Sequence, residues 1–316
     1  TTANVGKITT TELMKRNYSK SLSFGSLAGA GSLGLLIPPS IVLIVYGVLA
    51  EVSIARLFAA GVYPGILIAS LYSGYIIFRC LLNPSLAPTV DENPSAKDML
   101  YGLLNLIPIT ILIFIVLGSI YSGIATPSEA AAVGVFATLI LTILTRQLSL
   151  EIFFDSLMGA VRTSCMIASI LLAAAFLSTS MAYLHVPQEV AAGIAKLDLS
   201  PYQMILTLAI FYIILGLFLE GISITVMSLP ITLPLVLSAG FDPIWFGIFL
   251  VIMVELAQIT PPIGFNLFII QGLTGTPIMK VAIASAPFFV LMCCAAAIIT
   301  VFPEIALWLP NTLFNK

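Results

Sequence analysis

The chain has 316 residues, 8% of them charged and 60% hydrophobic, with a mean hydropathy of +1.15. Soluble domains carry about 25% charged residues, and 12 Lys+Arg with 14 Asp+Glu cannot cover a water-soluble globule of this size. Soluble enzyme classes are thereby excluded, and an all-α polytopic membrane protein with room for about eight segments of ~20 residues is expected. The net charge of −2 identifies no partner and gives no reason to expect nucleic acid.

The first twenty residues are polar and basic, with Lys7, Lys15, Arg16 and Lys20. From Leu22 to Ala50 the chain is apolar but interrupted, because Gly25, Gly29, Gly31 and Gly34 precede Pro38-Pro39. Two successive prolines remove two backbone donors and push Ile37 out of the helical region, so one membrane segment is broken near its middle. Apolar runs follow at Leu57–Cys80, Tyr101–Ile120, Ala130–Thr145 and Ile152–Tyr183. Thr126-Pro127-Ser128-Glu129 fits a capping box with proline at the first helical position, and so a helix start. Arg162 lies inside its run and can snorkel to the cytoplasmic face.

Tyr202–Leu219 stops at the polar knot Glu220-Gly221-Ile222-Ser223, and Ile224–Leu237 follows with Pro230 and Pro234. Two short apolar arms joined by a Gly/Ser tip read as a re-entrant hairpin. Ile244–Gly272 is broken at Thr260-Pro261-Pro262-Ile263-Gly264, and Val281–Phe302 is the last span. Cys80, Cys165, Cys293 and Cys294 show no metal-ligand spacing and read as apolar fillers. His185 stands alone in a connector beside Pro187.

The two Pro-Pro breaks define an internal repeat. At an offset of 223 residues Pro38-Pro39 fall on Pro261-Pro262, Pro64 on Pro287 and Ile8-Thr9 on Ile231-Thr232. Identities are few, and the order of features carries the argument: a polar stretch, a helix broken at Pro-Pro, a short connector, a full span. Ile224 aligns with Thr1, so a matching first hairpin tip is expected just upstream of this chain. Four full spans between the first break and the second hairpin make the repeats inverted. With the basic N-terminal segment in the cytoplasm, Lys7, Lys15, Arg16, Lys20, Arg79, Lys97, Arg146 and Lys280 lie inside, and Arg56, Lys196 and Lys316 outside. That bias obeys the positive-inside rule.

Non-helical backbone at membrane depth survives only where it is buried or lines a polar site. Inverted repeats with broken helices meeting near the midplane are the pattern of secondary transporters. The C-terminal end of each first half-helix offers carbonyls to a cation, and the N-terminal end of each second half-helix offers amides to an anion. The first cation site is expected at Gly31, Ser32, Gly34 and Pro38, and the second at Glu220, Gly221, Ser223, Thr225, Thr260 and Pro261. The anionic solute is expected at Pro39, Ser40, Pro262, Gly264 and Asn266. Na+ suits such carbonyl and hydroxyl cages, and a proton-coupled carrier would call for more buried carboxylates than this chain has. Glu220 and Glu255 are functional by position in the membrane, or else interfacial or structural. The expected organisation is residues 1–56, the end of a first hairpin arm and the first broken helix; 57–201, scaffold and connecting spans; 202–280, the second hairpin and broken helix; and 281–316, the final span.

The runs GSLGLLIPPSIVLIVYGVLAEVSIARLFAAGVYPG, GIATPSEAAAVG and LEGISITVMSLPITLPLV with its sequel ITPPIGFNLFIIQG resemble the large membrane subunit of TRAP transporters, the tripartite ATP-independent periplasmic carriers of bacteria. The likeness covers essentially the whole chain. It implies an elevator-type transporter in the bacterial inner membrane, driven by Na+. It also implies a small four-helix membrane subunit, in some members fused to the large one, and a soluble periplasmic binding protein as partners. Substrates in that family are mostly carboxylates; sialic acid is favoured here from overall similarity, with C4-dicarboxylates next. The family's first hairpin tip is missing from this chain, which therefore reads as the C-terminal portion of a large subunit.

An intramembrane hydrolase would need a Ser-His or paired-Asp constellation within spans, and the only histidine lies outside them. A non-transporting scaffold would leave the matched breaks without a reason. The nearest rival is a binding-protein-independent sodium/anion carrier of similar inverted-repeat design.

Overall fold

The computed structural model describes residues 2–88, 96–186, 189, 190, 193, 199–262 and 264–314. Thr1, Pro187, Lys196, Ile263 and Lys316 lie outside the described residues. The chain is all-helical among the described residues. In order, α1 is Thr2–Lys15, α2 Lys20–Ser32, α3 Ile41–Leu49, α4 Ile54–Leu82, α5 Ala96–Tyr121, α6 Pro127–Leu144 and α7 Leu150–Tyr183. Then come α8 Pro201–Gly216, α9 Gly221–Ser238, α10 Pro243–Gln258, α11 Phe265–Thr274, α12 Ile278–Val301 and α13 Glu304–Phe314. Six helices are long and apolar enough to cross a membrane, and this is a multi-pass membrane protein.

The interruptions fall where the prolines put them. Helix α2 tightens into a 3-10 turn at Leu33–Leu35 and restarts at Ile41 as α3. Helix α10 ends at Gln258 and restarts at Phe265 as α11. The bonds Pro38-Pro39 and Pro261-Pro262 are both cis, so the two breaks share their backbone form. Proline does not break every helix: Pro64, Pro108, Pro230, Pro234, Pro287 and Pro310 all lie inside helices. A lone proline frees one carbonyl that neighbouring groups can re-satisfy, whereas a pair leaves a wider gap. The capping box is present, with the Thr126 amide donating to the Glu129 carboxylate at 2.8 Å. Helix α13 has no counterpart in the expected elements; at 11 residues with an internal proline it carries no spanning signal. It lies along α4, where Arg56 Nη2 donates to Asn311 Oδ1 at 3.0 Å and Tyr63 meets Trp308 at 5.6 Å.

The chain forms two compact units, residues 90–173 and the remainder, with the division inside α7. In the smaller unit α5 packs on α6. The larger unit holds both breaks and the second hairpin, and its packing is reciprocal. Equating α1 with α9, α2 with α10, α3 with α11 and α4 with α12, each contact has its exchanged partner. The pair α1·α11 matches α9·α3, and α2·α12 matches α10·α4. Close approach at glycine makes these crossings possible: a Cβ on Gly25 would fall on the Ala284 carbonyl, and one on Gly247 would lie 2.7 Å from Tyr46 and 2.8 Å from Leu57. Each half of the repeat thus completes the other's core. Phe24 and Ala28 of α2 are buried with Leu267 and Ile270 of α11 and Val281 of α12.

The hairpin arms are stapled by hydroxyls. Tyr212 of α8 shares a 2.8 Å hydrogen bond with Thr232 of α9, and Ser228 donates to the Tyr212 hydroxyl at 3.1 Å. Ser228 and Thr232 also donate back to Ile224 and Ser228 carbonyls, so every hydroxyl in the staple is satisfied. Tyr212→Phe should therefore destabilise the protein by about 0.6–2 kcal/mol, as expected for one or two intramembrane hydrogen bonds. Thermal unfolding in detergent measures this, and an unchanged midpoint would show that apolar packing alone holds the arms.

Candidate functional site

The second hairpin tip meets the second broken helix directly. A Cβ on Gly216 would fall on Ala257, and one on Gly221 would fall on Val254. The tip between α8 and α9 is therefore wedged against the last turn of α10, next to the break. At the break the carbonyls of Gln258 and Thr260 converge: a Cβ on Gly264 would lie 2.9 Å from each. A side chain there would fill an oxygen cradle. Gly264 has φ −47°, which any residue can adopt, so glycine is required by the space and not by the backbone angle. This cradle has the size and chemistry for a small hard cation such as Na+.

The side chains expected around that cation have more local tasks. Glu220 is exposed and caps α9, accepting from the Ser223 amide at 3.1 Å and hydroxyl at 3.0 Å. Thr225 is fully buried and donates to the Gly221 carbonyl at 2.9 Å. Thr260 donates to the Leu256 carbonyl at 2.6 Å, and Pro261 begins the cis bond after it. The hydroxyl lone pairs remain open to a cation, but their hydrogens are committed to backbone. Backbone carbonyls thus dominate the second cluster.

In the first break Ser32 is wholly buried and donates to the Gly29 carbonyl at 2.7 Å. Pro38 is buried while Gly34 and Pro39 are exposed. A Cβ on Gly31 would fall on the Thr2 hydroxyl, so α1 seats on the first break as the second hairpin seats on the second. Thr2 aligns with Thr225 at the repeat offset, which puts a threonine in each hairpin arm beside a break.

Ser40 and Asn266 lie at the starts of α3 and α11. Ser40 caps α3, accepting from the Leu43 amide at 3.3 Å and donating to the Leu35 carbonyl. Asn266 is a tie across the repeats: its Nδ2 donates to the Ala28 carbonyl at 3.1 Å, and its Oδ1 accepts from Thr2 at 2.7 Å. Both are nearly or fully buried. Sequence reasoning had no signal for this tie, because its members are 238 and 264 residues apart. Pro262 is exposed beside the masked position 263. No lysine or arginine lies in residues 31–40, 216–225 or 258–266, so an anion there meets only backbone dipoles and hydroxyl or amide groups. The apolar cleft of about 300 Å³ among α8, α10 and α12 is walled by Ile205, Phe249, Met253 and Ala296 and lacks polar groups for an anionic solute.

Two interrupted helices, a wedged hairpin and reciprocal packing define a multi-pass membrane permease whose backbone is opened at depth. The chain matches the family described as the tripartite ATP-independent periplasmic transporter, DctM component, over residues 1–305, and it belongs to that family. The family is one of transporter permeases. The chain is 35% identical to the C4-dicarboxylate TRAP transporter large permease protein DctM of Pseudomonas aeruginosa, covering 99% of this chain and 73% of that protein. It is 32% identical to the isethionate TRAP transporter permease protein DctMQ of Oleidesulfovibrio alaskensis, covering 98% of this chain and 48% of that one. It is 28% identical to the sialic acid TRAP transporter large permease protein SiaM of Vibrio cholerae, covering 97% and 71%.

The cradle makes a sharp expectation. Gly264→Ala should raise the half-saturation concentration for Na+ in transport at least about tenfold, the effect of losing about 1.4 kcal/mol of ion binding. Membrane insertion should be normal. Na+-titrated uptake in proteoliposomes tests it, and an unshifted titration would remove the two carbonyls from the site.

Proposed function

We propose that this chain carries out sodium-coupled uptake of an organic anion across the bacterial inner membrane, as the large subunit of a three-part carrier. A periplasmic binding protein delivers the solute, and a small four-helix subunit, separate or fused, supports the permease. The relative named DctMQ supports the fused form as a variant of the same design. The observation that carries the reading is the convergence of the Gln258 and Thr260 carbonyls beside a hairpin tip wedged on Val254 and Ala257. Cations would sit at the C-terminal ends of α2 and α10. The solute's carboxylate would sit at the N-terminal ends of α3 and α11, where each dipole end carries roughly half a positive charge. Each bound cation offsets part of the solute's negative charge, which is how ion and solute binding become linked.

The stapled hairpin, both breaks and the cross-repeat ties belong to one compact unit, which supports an elevator motion of that unit as a body. The relatives' names span C4-dicarboxylates, isethionate, ectoine and sialic acid. The greater identity to the C4-dicarboxylate permease favours a C4-dicarboxylate over sialic acid as the solute.

Reconstituted uptake of labelled succinate and of sialic acid tests the reading. Accumulation should require both an inward Na+ gradient and the binding protein. Equal uptake with K+ replacing Na+ would reject sodium coupling, and equal uptake without binding protein would favour the binding-protein-independent carrier. For the solute position, Ser40→Ala should reduce solute affinity about two- to tenfold, the worth of one neutral hydrogen bond. Ser40→Ala also removes a cap worth about 1 kcal/mol, so the affinity must be read at saturating Na+ on protein of verified fold. Wild-type uptake by the Ser40→Ala/Asn266→Ala double variant would displace the solute from these helix ends.

A further inference from the structure

Glu255 is 0% exposed, and neither of its carboxylate oxygens has a hydrogen-bond partner. It sits in the last turn of α10, where that helix meets the 3-10 turn Leu33–Leu35 of the first break. The Leu36 amide faces the carboxyl, short of hydrogen-bonding geometry. From α4, the Tyr72 hydroxyl lies within electrostatic reach of it, with the Cys293 thiol of α12 on the hydroxyl's other side. The Tyr72 hydroxyl is itself buried and without a partner. Its ring is fixed edge-on to Phe288 at 5.1 Å and packed on Gly29. Two oxygen-bearing groups therefore face one another across the crossing of the two broken helices, and neither is satisfied.

A buried carboxylate with no counter-charge is among the costliest states in a membrane interior. A proton would neutralise Glu255 but leave acceptor oxygens and the Tyr72 hydroxyl still unpaired. A water would pair both groups and leave the charge uncompensated. A monovalent cation answers both needs at once, because carboxylate and phenol oxygens are hard ligands for it. The position also separates this place from the two break-end clusters. At the repeat offset Glu255 aligns with Ser32, likewise wholly buried, so the carboxylate has no copy in the first repeat. The helices α2 and α10 exchange with one another under the repeat, and their crossing occurs once.

We propose that Glu255 and Tyr72 form a third, unduplicated Na+ site at this crossing, distinct from the two repeat-related cation sites and resting on the sodium-coupled reading above. Bound there, the ion would hold α10 against the first break and α4, locking the two broken helices in one relative position.

The test is equilibrium binding of radioactive sodium to the assembled permease in nanodiscs, with no solute present. Glu255→Gln should bind one Na+ fewer per permease at saturation than the wild type, and Glu255→Asp should keep the full number. Tyr72→Phe should keep the number but raise the Na+ half-saturation about two- to tenfold, the worth of one neutral oxygen contact. An unchanged count in Glu255→Gln would overturn the site. If Glu255→Gln does not fold, an unshifted titration in Tyr72→Phe would overturn it instead. A wild-type permease that binds no Na+ would overturn this site and the sodium-coupled reading together, whereas loss of this site alone leaves that reading standing.

Discussion

Backbone that leaves the helix inside a membrane must find partners within the protein, and this one constraint organises the larger unit. Each unsatisfied amide or carbonyl in hydrocarbon costs several kcal/mol. The chain opens its backbone at Leu33–Ser40 and at Ile259–Gly264 and surrounds both openings with helix. Hairpin arms seat against the breaks through Gly31 and Gly221, and Asn266 ties α11 to the Ala28 carbonyl and to Thr2. The small residues at these contacts allow helix axes to come close enough for that shielding, as in other membrane helix pairs.

The reciprocal packing gives the breaks their mechanical meaning. Because α1 lies on α11 and α9 on α3, neither repeat can move its broken helix without its partner's hairpin. Further ties run the same way: Tyr46 donates to the Pro243 carbonyl at 2.5 Å, and Trp245 Nε1 to the Ile299 carbonyl at 3.0 Å. A unit bound together in this way moves as a body or not at all. Charge recognition then falls to backbone groups, since no lysine or arginine lies at either opening. Fixed dipoles need no rearrangement when an ion arrives, while a buried lysine would need a counter-charge whenever the solute is absent.

Much of this was legible in one dimension, because composition and proline placement act locally. Low charge content, the lengths of apolar runs, and the paired prolines at an offset of 223 residues determined an all-α membrane chain with two matched breaks. Helix ends came out within a few residues of the apolar runs, and the Thr126–Glu129 box is in place, since capping depends on side chains three residues apart. The family followed from the same stretches. The tertiary structure alone decided which atoms are available. Glu220, prominent in sequence as a carboxylate amid apolar residues, is exposed and caps α9, while Glu255, similar in sequence context, is sealed between α10, the first break and α4 without a partner. Asn266 spans 238 residues to reach Ala28, and the Gln258 and Thr260 carbonyls converge only because the chain turns back on Gly264. Such facts depend on contacts between segments far apart in the chain, and hydrophobic periodicity and local turn chemistry carry no record of them.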